Sequence, residues 1–173
     1  LDYLGTVRAK DTKNYAFMAS GKLATLNVSK GEFVKKGDIL ATLDTTVMML
    51  NRQSAIKNIS NIEITIKATE SSLKALESVV KASRELHLAG AISDKELDAK
   101  QTEYDLKKAS YMNLVGNLKM SQIQIEILDE NISNATLVAN SDGYVMELPY
   151  HEQEIISPGH PVVIIKSIEQ VVT

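Results

Sequence analysis

The chain has 173 residues, 44% of them hydrophobic, with no cysteine, no tryptophan and a net charge of −3. That charge balance gives nucleic-acid binding no electrostatic footing, and the lack of cysteine removes thiol catalysis, disulfides and cysteine-based metal sites. No apolar run approaches the ~20 residues that span a bilayer.

The first zone, residues 1–44, reads as short strands punctuated by Gly5, Gly21, Gly31 and Gly37. Leu26 and Val28 alternate with polar neighbours, as do Ile39, Ala41 and Leu43, the two-residue period of a half-buried strand. Ser20-Gly21 and Lys36-Gly37-Asp38 are turn signals.

The second zone, residues 45–133, has no proline, and its apolar spacing becomes helical. Ile59, Ile62, Ile66, Leu73, Leu76 and Val80 form a coiled-coil seam, with Thr69 and Ser83 completing the frame. Past Gly90, Leu97, Tyr104, Tyr111, Leu118, Ile125 and Ile132 recur every seventh residue. The alternate seam positions read as polar, Val115 excepted. Such thin stripes predict two helices facing each other, each of about 40 residues and roughly 60 Å. Ile64, Met112, Leu114, Ile123 and Ile127 fall outside the seam, which predicts packing against neighbouring copies.

The reversal between the helices is legible. Gly90 supplies the left-handed residue that ends the first helix. Ser93 with Glu96 is a capping box that starts the second. The third zone, from Asn134, returns to strands at Leu137-Val138-Ala139, Tyr144-Val145-Met146 and Val162 to Ile165, with turns at Ser141-Asp142-Gly143 and Ser157 to Pro161.

Neither β zone is long enough to bury a core alone, and an antiparallel hairpin brings them together. They also echo each other. Gly21, Leu26 to Val28, Gly31, Val34 and Lys36 to Leu40 run parallel to Gly143, Tyr144-Val145, Glu152, Ile156 and Pro158 to Val162. The fold class expected is therefore α+β: a long antiparallel two-helix coiled-coil hairpin inserted between two halves of a β sandwich.

The stretch Gly21 to Asp44 resembles the first half-motif of the lipoyl-like domain in the membrane fusion proteins, the periplasmic adaptors of bacterial efflux and secretion pumps. Ala139 to Val145 resembles the second half-motif, with Asn140 where the family usually has proline. Gly90 to Asp98 is similar to the family's hairpin tip. The resemblance covers nearly the whole chain. It implies a split lipoyl-like domain at 15–44 and 134–170, a hairpin at 45–133, and edges of a truncated β-barrel domain at 1–14 and 171–173. It also implies a non-enzymatic adaptor without cofactor, extracytoplasmic in the bacterial cell envelope and membrane-anchored in full length. The partners implied are a homo-hexameric ring, an inner-membrane transporter of the ABC or RND type, and an outer-membrane channel.

In pump-type adaptors an arginine, a leucine and a serine of the tip contact that channel. Leu86 and Ser93 keep the leucine-to-serine spacing, but Ala82 stands at the arginine position and Arg84 is two residues off. Leu86, Gly90, Ile92 and Ser93 are thus the partner-binding candidates at the tip. The missing arginine and a lysine-, asparagine- and isoleucine-rich composition favour an ABC partner over RND. Gln153 and Glu154, in the loop of the second half, are the candidates for lining a pore in the assembled ring, against the plainer reading of a solvated loop.

Other features read as structure. Lys35-Lys36 lacks the motif of a carrier lysine, which argues against a lipoyl- or biotin-type carrier domain. A surface coiled-coil scaffold would not need a split β repeat. His87, His151 and His160 have no partner at metal-ligand spacing. Glu152 and Glu154 lack the cleft an acid–base pair needs. The tyrosine stripe reads as seam packing.

Overall fold

The computed structural model describes residues 7–170. Residues 1–6 and 171–173, expected to be edges of a further domain, lie outside the described residues. The chain divides into two compact units: a β unit built from both ends of the sequence, and residues Asn51–Ile127 between them.

Among the described residues the β unit holds eight strands: β1 (Val7–Ala16), β2 (Gly21–Leu26), β3 (Phe33–Val34), β4 (Ile39–Leu43), β5 (Thr136–Val138), β6 (Gly143–Glu147), β7 (Ile155–Ile156) and β8 (Pro161–Gln170). Residues 7–14 are the first part of β1, which pairs antiparallel along β8. The two sheets are ordered β1-β8-β6-β3 and β5-β4-β2-β7. Replacing each strand of the first half by its counterpart in the second turns one sheet into the other, so the unit has an internal two-fold.

The repeat is exact in spacing. Tyr15 and Leu137, Leu23 and Val145, Val34 and Ile156, Leu40 and Val162, Leu43 and Ile165 are equivalent pairs, and all ten side chains are in the buried core. On β5 and β6 alternate residues point inward, on β4 and β8 the neighbours Leu40-Ala41 and Val162-Val163 are both buried, and the two sheets enclose these apolar faces between them. Gly31 is equivalent to Gln153 rather than to Glu152, which moves the sequence alignment of the halves by one residue. The hydrogen bonds repeat as well. The Gly31 N–H donates to the Val145 carbonyl at 2.7 Å, and the Gln153 N–H to the Leu23 carbonyl at 2.8 Å.

One place in the repeat tolerates only glycine. A Cβ on Gly143 would lie 2.5 Å from the Lys166 carbonyl oxygen and 2.6 Å from the Ile165 Cγ2. Its counterpart Gly21 has nothing nearer than 3.4 Å, a flexible leucine tip. Asn140 ties β1 to the turn before β6. The Tyr15 hydroxyl donates to Asn140 Oδ1 at 2.7 Å, the Asn140 N–H donates back to the Tyr15 oxygen at 3.2 Å, and Lys13 Nζ donates to Ser141 Oγ at 3.0 Å. A proline there would have no N–H to give.

Between β4 and β5 run two helices, α1 (Thr46–Leu88) and α2 (Asp94–Ser133). Asp44 caps α1. Its Oδ1 accepts the Thr46 N–H at 2.9 Å and the Thr46 hydroxyl at 2.7 Å. These bonds from Thr46, backbone first, hold its carboxyl below the usual value, with Lys22 helping.

On α1 the shielded positions run Ile59, Ile62, Ile66, Thr69, Leu73, Leu76, Val80 and Ser83, the heptad frame read from the sequence; Val80 and Ser83 are buried. On α2 the every-seventh stripe from Leu97 to Ile132 is likewise half-buried. The alternate positions differ from expectation. Lys107, Leu114, Ser121 and Leu128 are shielded, while Val115 is exposed. The seam thus gains Leu114 and Leu128. Leu114 had been placed among the residues left outside; Ile64, Met112, Ile123 and Ile127 are indeed exposed.

The helix pairing is antiparallel. Val80 and Tyr104 line one surface groove, Ile66 and Leu118 another, Ile59 and Ile125 a third. Among the described residues no helix is long and apolar enough to cross a membrane.

Candidate functional site

The hairpin tip is built by two caps that meet. Gly90 has φ 75°. The Gly90 N–H donates to the His87 carbonyl at 3.0 Å and the Ala91 N–H to the Leu86 carbonyl at 2.8 Å, so α1 ends in a Schellman motif. Ser93 and Glu96 form the reciprocal box: the Glu96 N–H donates to Ser93 Oγ at 3.1 Å, and the Ser93 N–H to Glu96 Oε2 at 3.0 Å. The turn brings Leu86, Gly90, Ile92 and Ser93 onto one end of the hairpin. Leu86, Gly90 and Ser93 are exposed and Ile92 is half-shielded. The Ser93 oxygen is already engaged by the cap, and the exposed apolar surface there comes from Leu86 and Leu88, 48% and 87% exposed, with the half-shielded Ile92.

Two polar links lock this end, and neither is visible from spacing. His87, which looks isolated in the sequence, meets Asp94 across the turn through Nε2 and Oδ1. A histidine in the last turn of one helix and an aspartate in the first turn of the next each complement a helix dipole. Arg84 donates to Gln101 Oε1 at 2.8 Å, and Gln101 Nε2 donates on to Asp105 at 3.0 Å. The arginine two residues from the family position therefore cross-links the two helices.

The second candidate is the loop before β7. It is stitched to β2: besides the Gln153 bond, the Leu23 N–H donates to the Glu154 carbonyl at 2.8 Å and the Leu26 N–H to Glu152 Oε1 at 3.0 Å. His151 Nδ1 lies 3.3 Å from Glu154 Oε1. The side chains of Gln153 and Glu154 are exposed. Gln153 has φ 74°, and it is the one non-glycine residue with positive φ among those described. Its two-fold equivalent is Gly31, φ 85°. A side chain is thus kept where the backbone favours glycine.

Nothing else described gathers chemistry. No group of three or more His, Asp or Glu in the described residues is arranged to hold a metal. The Lys35 and Lys36 N–H groups are held by Asp38 Oδ2 and Asp142 Oδ1, each at 2.8 Å, in the turn before β4.

No family model matches the chain. In sequence it is 27% identical over 136 residues to the macrolide export protein MacA of Escherichia coli O157:H7, a match covering 75% of this chain and 35% of the relative; the Shigella flexneri protein of the same description matches equally. The chain spans about a third of the length of these curated relatives. In structure it superposes on MacA from Actinobacillus actinomycetemcomitans with a TM-score of 0.83 at 22% identity, covering 94% of this chain and 51% of that one. The periplasmic adaptor protein EmrA gives 0.64 at 18% identity, covering 93% and 73%. The membrane fusion protein Spr0693 from Streptococcus pneumoniae R6 gives 0.54 at 17%, covering 94% and 64%. With a helical hairpin set between the two halves of a β sandwich, the chain has the fold of these membrane fusion, or periplasmic adaptor, proteins.

Proposed function

We propose that this chain is the hairpin and lipoyl-like part of the adaptor subunit of a bacterial export system. It acts without catalysis, on the outer side of the cytoplasmic membrane, assembled as a ring on an inner-membrane transporter. The observation that carries this reading is the connection between β4 and β5. These strands are antiparallel neighbours that a short turn could join, yet the chain spends two helices of 43 and 40 residues on the link. A stiff double helix of roughly 60 Å spans distance, and it ends in a tip held by caps on both sides, suited to docking end-on. The export role of the MacA relatives supports the same reading.

Within it, Leu86, Gly90, Ile92 and Ser93 form the docking end, and an outer-membrane channel is the kind of partner they would meet. Ala82 in place of arginine, with Arg84 engaged by Gln101, favours a system unlike the RND pumps, so we assign an ABC transporter as the inner-membrane partner. Gln153 and Glu154 line the pore of the ring. The left-handed backbone at Gln153 supports this, because that conformation costs about 1–2 kcal/mol for a non-glycine residue and a side chain retained there answers to something other than the fold.

The test is covalent capture of the chain in its source cells, with mass spectrometry of what is bound. An ABC permease or its ATPase is the expected partner. A proton-driven permease overturns the ABC assignment, and a lipoyl or biotinyl mass on a lysine overturns the adaptor reading in favour of a carrier domain. Replacing Gln153 and Glu154 together by alanine is expected to alter export, and unchanged export removes their pore role.

A further inference from the structure

Both helices soften at one level. Gly116 sits in the middle of α2, where glycine weakens a helix through its backbone freedom. A Cβ built on it meets nothing within 4 Å, so close packing within the chain does not call for a glycine there. Ile59 with Ile125, Ile66 with Leu118 and Val80 with Tyr104 share one antiparallel register. That register sets Gly116 level with Ala68 and Thr69. Thr69 is a polar residue in the α1 seam, between Ile66 and Leu73. Two hydroxyls bracket it. Thr65 Oγ1 donates to the Asn61 carbonyl at 3.0 Å, and Ser71 Oγ to the Lys67 carbonyl at 3.2 Å. Bonds of this kind compete with the helical ladder and bend helices. Toward the turn the hairpin is held more firmly: Val80 and Ser83 are buried, Arg84 donates to Gln101, and His87 meets Asp94.

We propose that the hairpin carries a hinge at Gly116 and Thr69, about which the tip half tilts against the half joined to the β unit. A soft place in one helix is splinted by a firm partner. Two soft places at the same level, across a polar seam position, bend together. Glycine and side chains that intrude on the ladder are the physical sources of such kinks. The hinge stands on this geometry alone. Its use rests on the adaptor reading above: a tip that tilts can follow its partner while the other end stays fixed in the ring.

Hydrogen exchange on the whole chain reads local opening directly. Once intrinsic rates are removed, amides of residues 112–120 and 66–72 are expected to be protected roughly tenfold less than those two turns away on either side. Gly116→Ala should raise protection about fivefold over 112–120, the difference in helix propensity between the two residues. The gain should carry across to 66–72 of α1, which the substitution does not alter. Thr69→Leu, which makes the seam apolar at that level, should raise protection over both stretches in the same way. Residual dipolar couplings give an independent reading: the two halves of the wild-type hairpin should require different alignment magnitudes, and those of Gly116→Ala a single one. Even protection along both helices, or a gain from Gly116→Ala confined to α2, overturns the hinge. Export in the source cells should fall with Gly116→Ala. Unchanged export overturns the use of the hinge, and the capture experiment above decides the adaptor reading separately.

Discussion

Gly21 and Gly143 occupy equivalent places in the two halves of the β unit, and the sequence presents them as the same kind of turn residue. Their surroundings separate them. Gly143 lies against the backbone carbonyl of Lys166, which cannot move without breaking the β6–β8 ladder, whereas Gly21 faces only the tip of Leu43. Gly143→Ala should therefore cost about 1–3 kcal/mol, in the range for an overfilled site. Gly21→Ala should cost well under half of that, and the two denaturant midpoints measured side by side give the comparison. Equal midpoints would mean that β8 yields as easily as a side chain. Residue-level detail of this kind was only partly legible in the sequence. The Ser93–Glu96 box is a local pattern and could be read directly. The Asp44 cap is local too, and aspartate ahead of two threonines at a helix start is a recognisable signal that the apolar periodicity overshadowed. The left-handed Gln153 could not be read, because glutamine carries no expectation of positive φ; only the exact alignment of the halves sets it opposite Gly31.

The two helices illustrate how far periodicity reaches. On α1 apolar residues fill both kinds of seam position, so the frame follows from spacing alone. On α2 the strong residues recur only every seventh place, and a seven-residue repeat leaves the intervening seam position free to fall three or four residues on. Val115, the apolar choice at four, is 42% exposed; Leu114, at three, is turned toward α1. Because a straight helix has 3.6 residues per turn, the two choices drift to opposite sides of the stripe, and only the facing helix selects between them. Leu114→Ala should then destabilise the hairpin by about 1–2 kcal/mol, below the range for a fully buried leucine because the site is half-shielded. Val115→Ala should be neutral or slightly favourable, since alanine is the better helix former. Thermal unfolding of the two variants followed by helical circular dichroism separates them, and a larger loss at Val115 would restore the frame first read from the sequence. The tip links escape periodicity altogether. His87 with Asp94, and Arg84 with Gln101, pair residues that become neighbours only once the register is set.

At the scale of the molecule, two units share one chain, and the order of their pieces explains why the β unit was recognisable although it is split. Among the described residues, the sixteen that form its buried core all come from outside Asn51–Ile127. Its strands close a complete two-fold set without a contribution from that stretch. Met48, at the start of α1, packs on this core. The hairpin is thus an insertion into a fold that is already whole, at the turn between β4 and β5. Thr42 pairs with Thr136 there, and the Leu43 N–H donates to the Ala135 carbonyl at 2.8 Å. Two strand ends held in that way are the flanking pair of a tight hairpin, which Asn-Gly closes with the twist that strands prefer. Replacing residues 44–134 by Asn-Gly should leave a β domain that unfolds cooperatively and gives a dispersed amide spectrum. Loss of the Met48 contact costs about 1 kcal/mol, and the far shorter loop offsets it, since closure entropy grows with the logarithm of loop length. The shortened domain should accordingly have a stability within about 2 kcal/mol of the β transition in the whole chain. A collapsed product without dispersed signals would mean that the helices hold the two halves together, and the chain would then be a single cooperative structure rather than a β domain carrying an insertion.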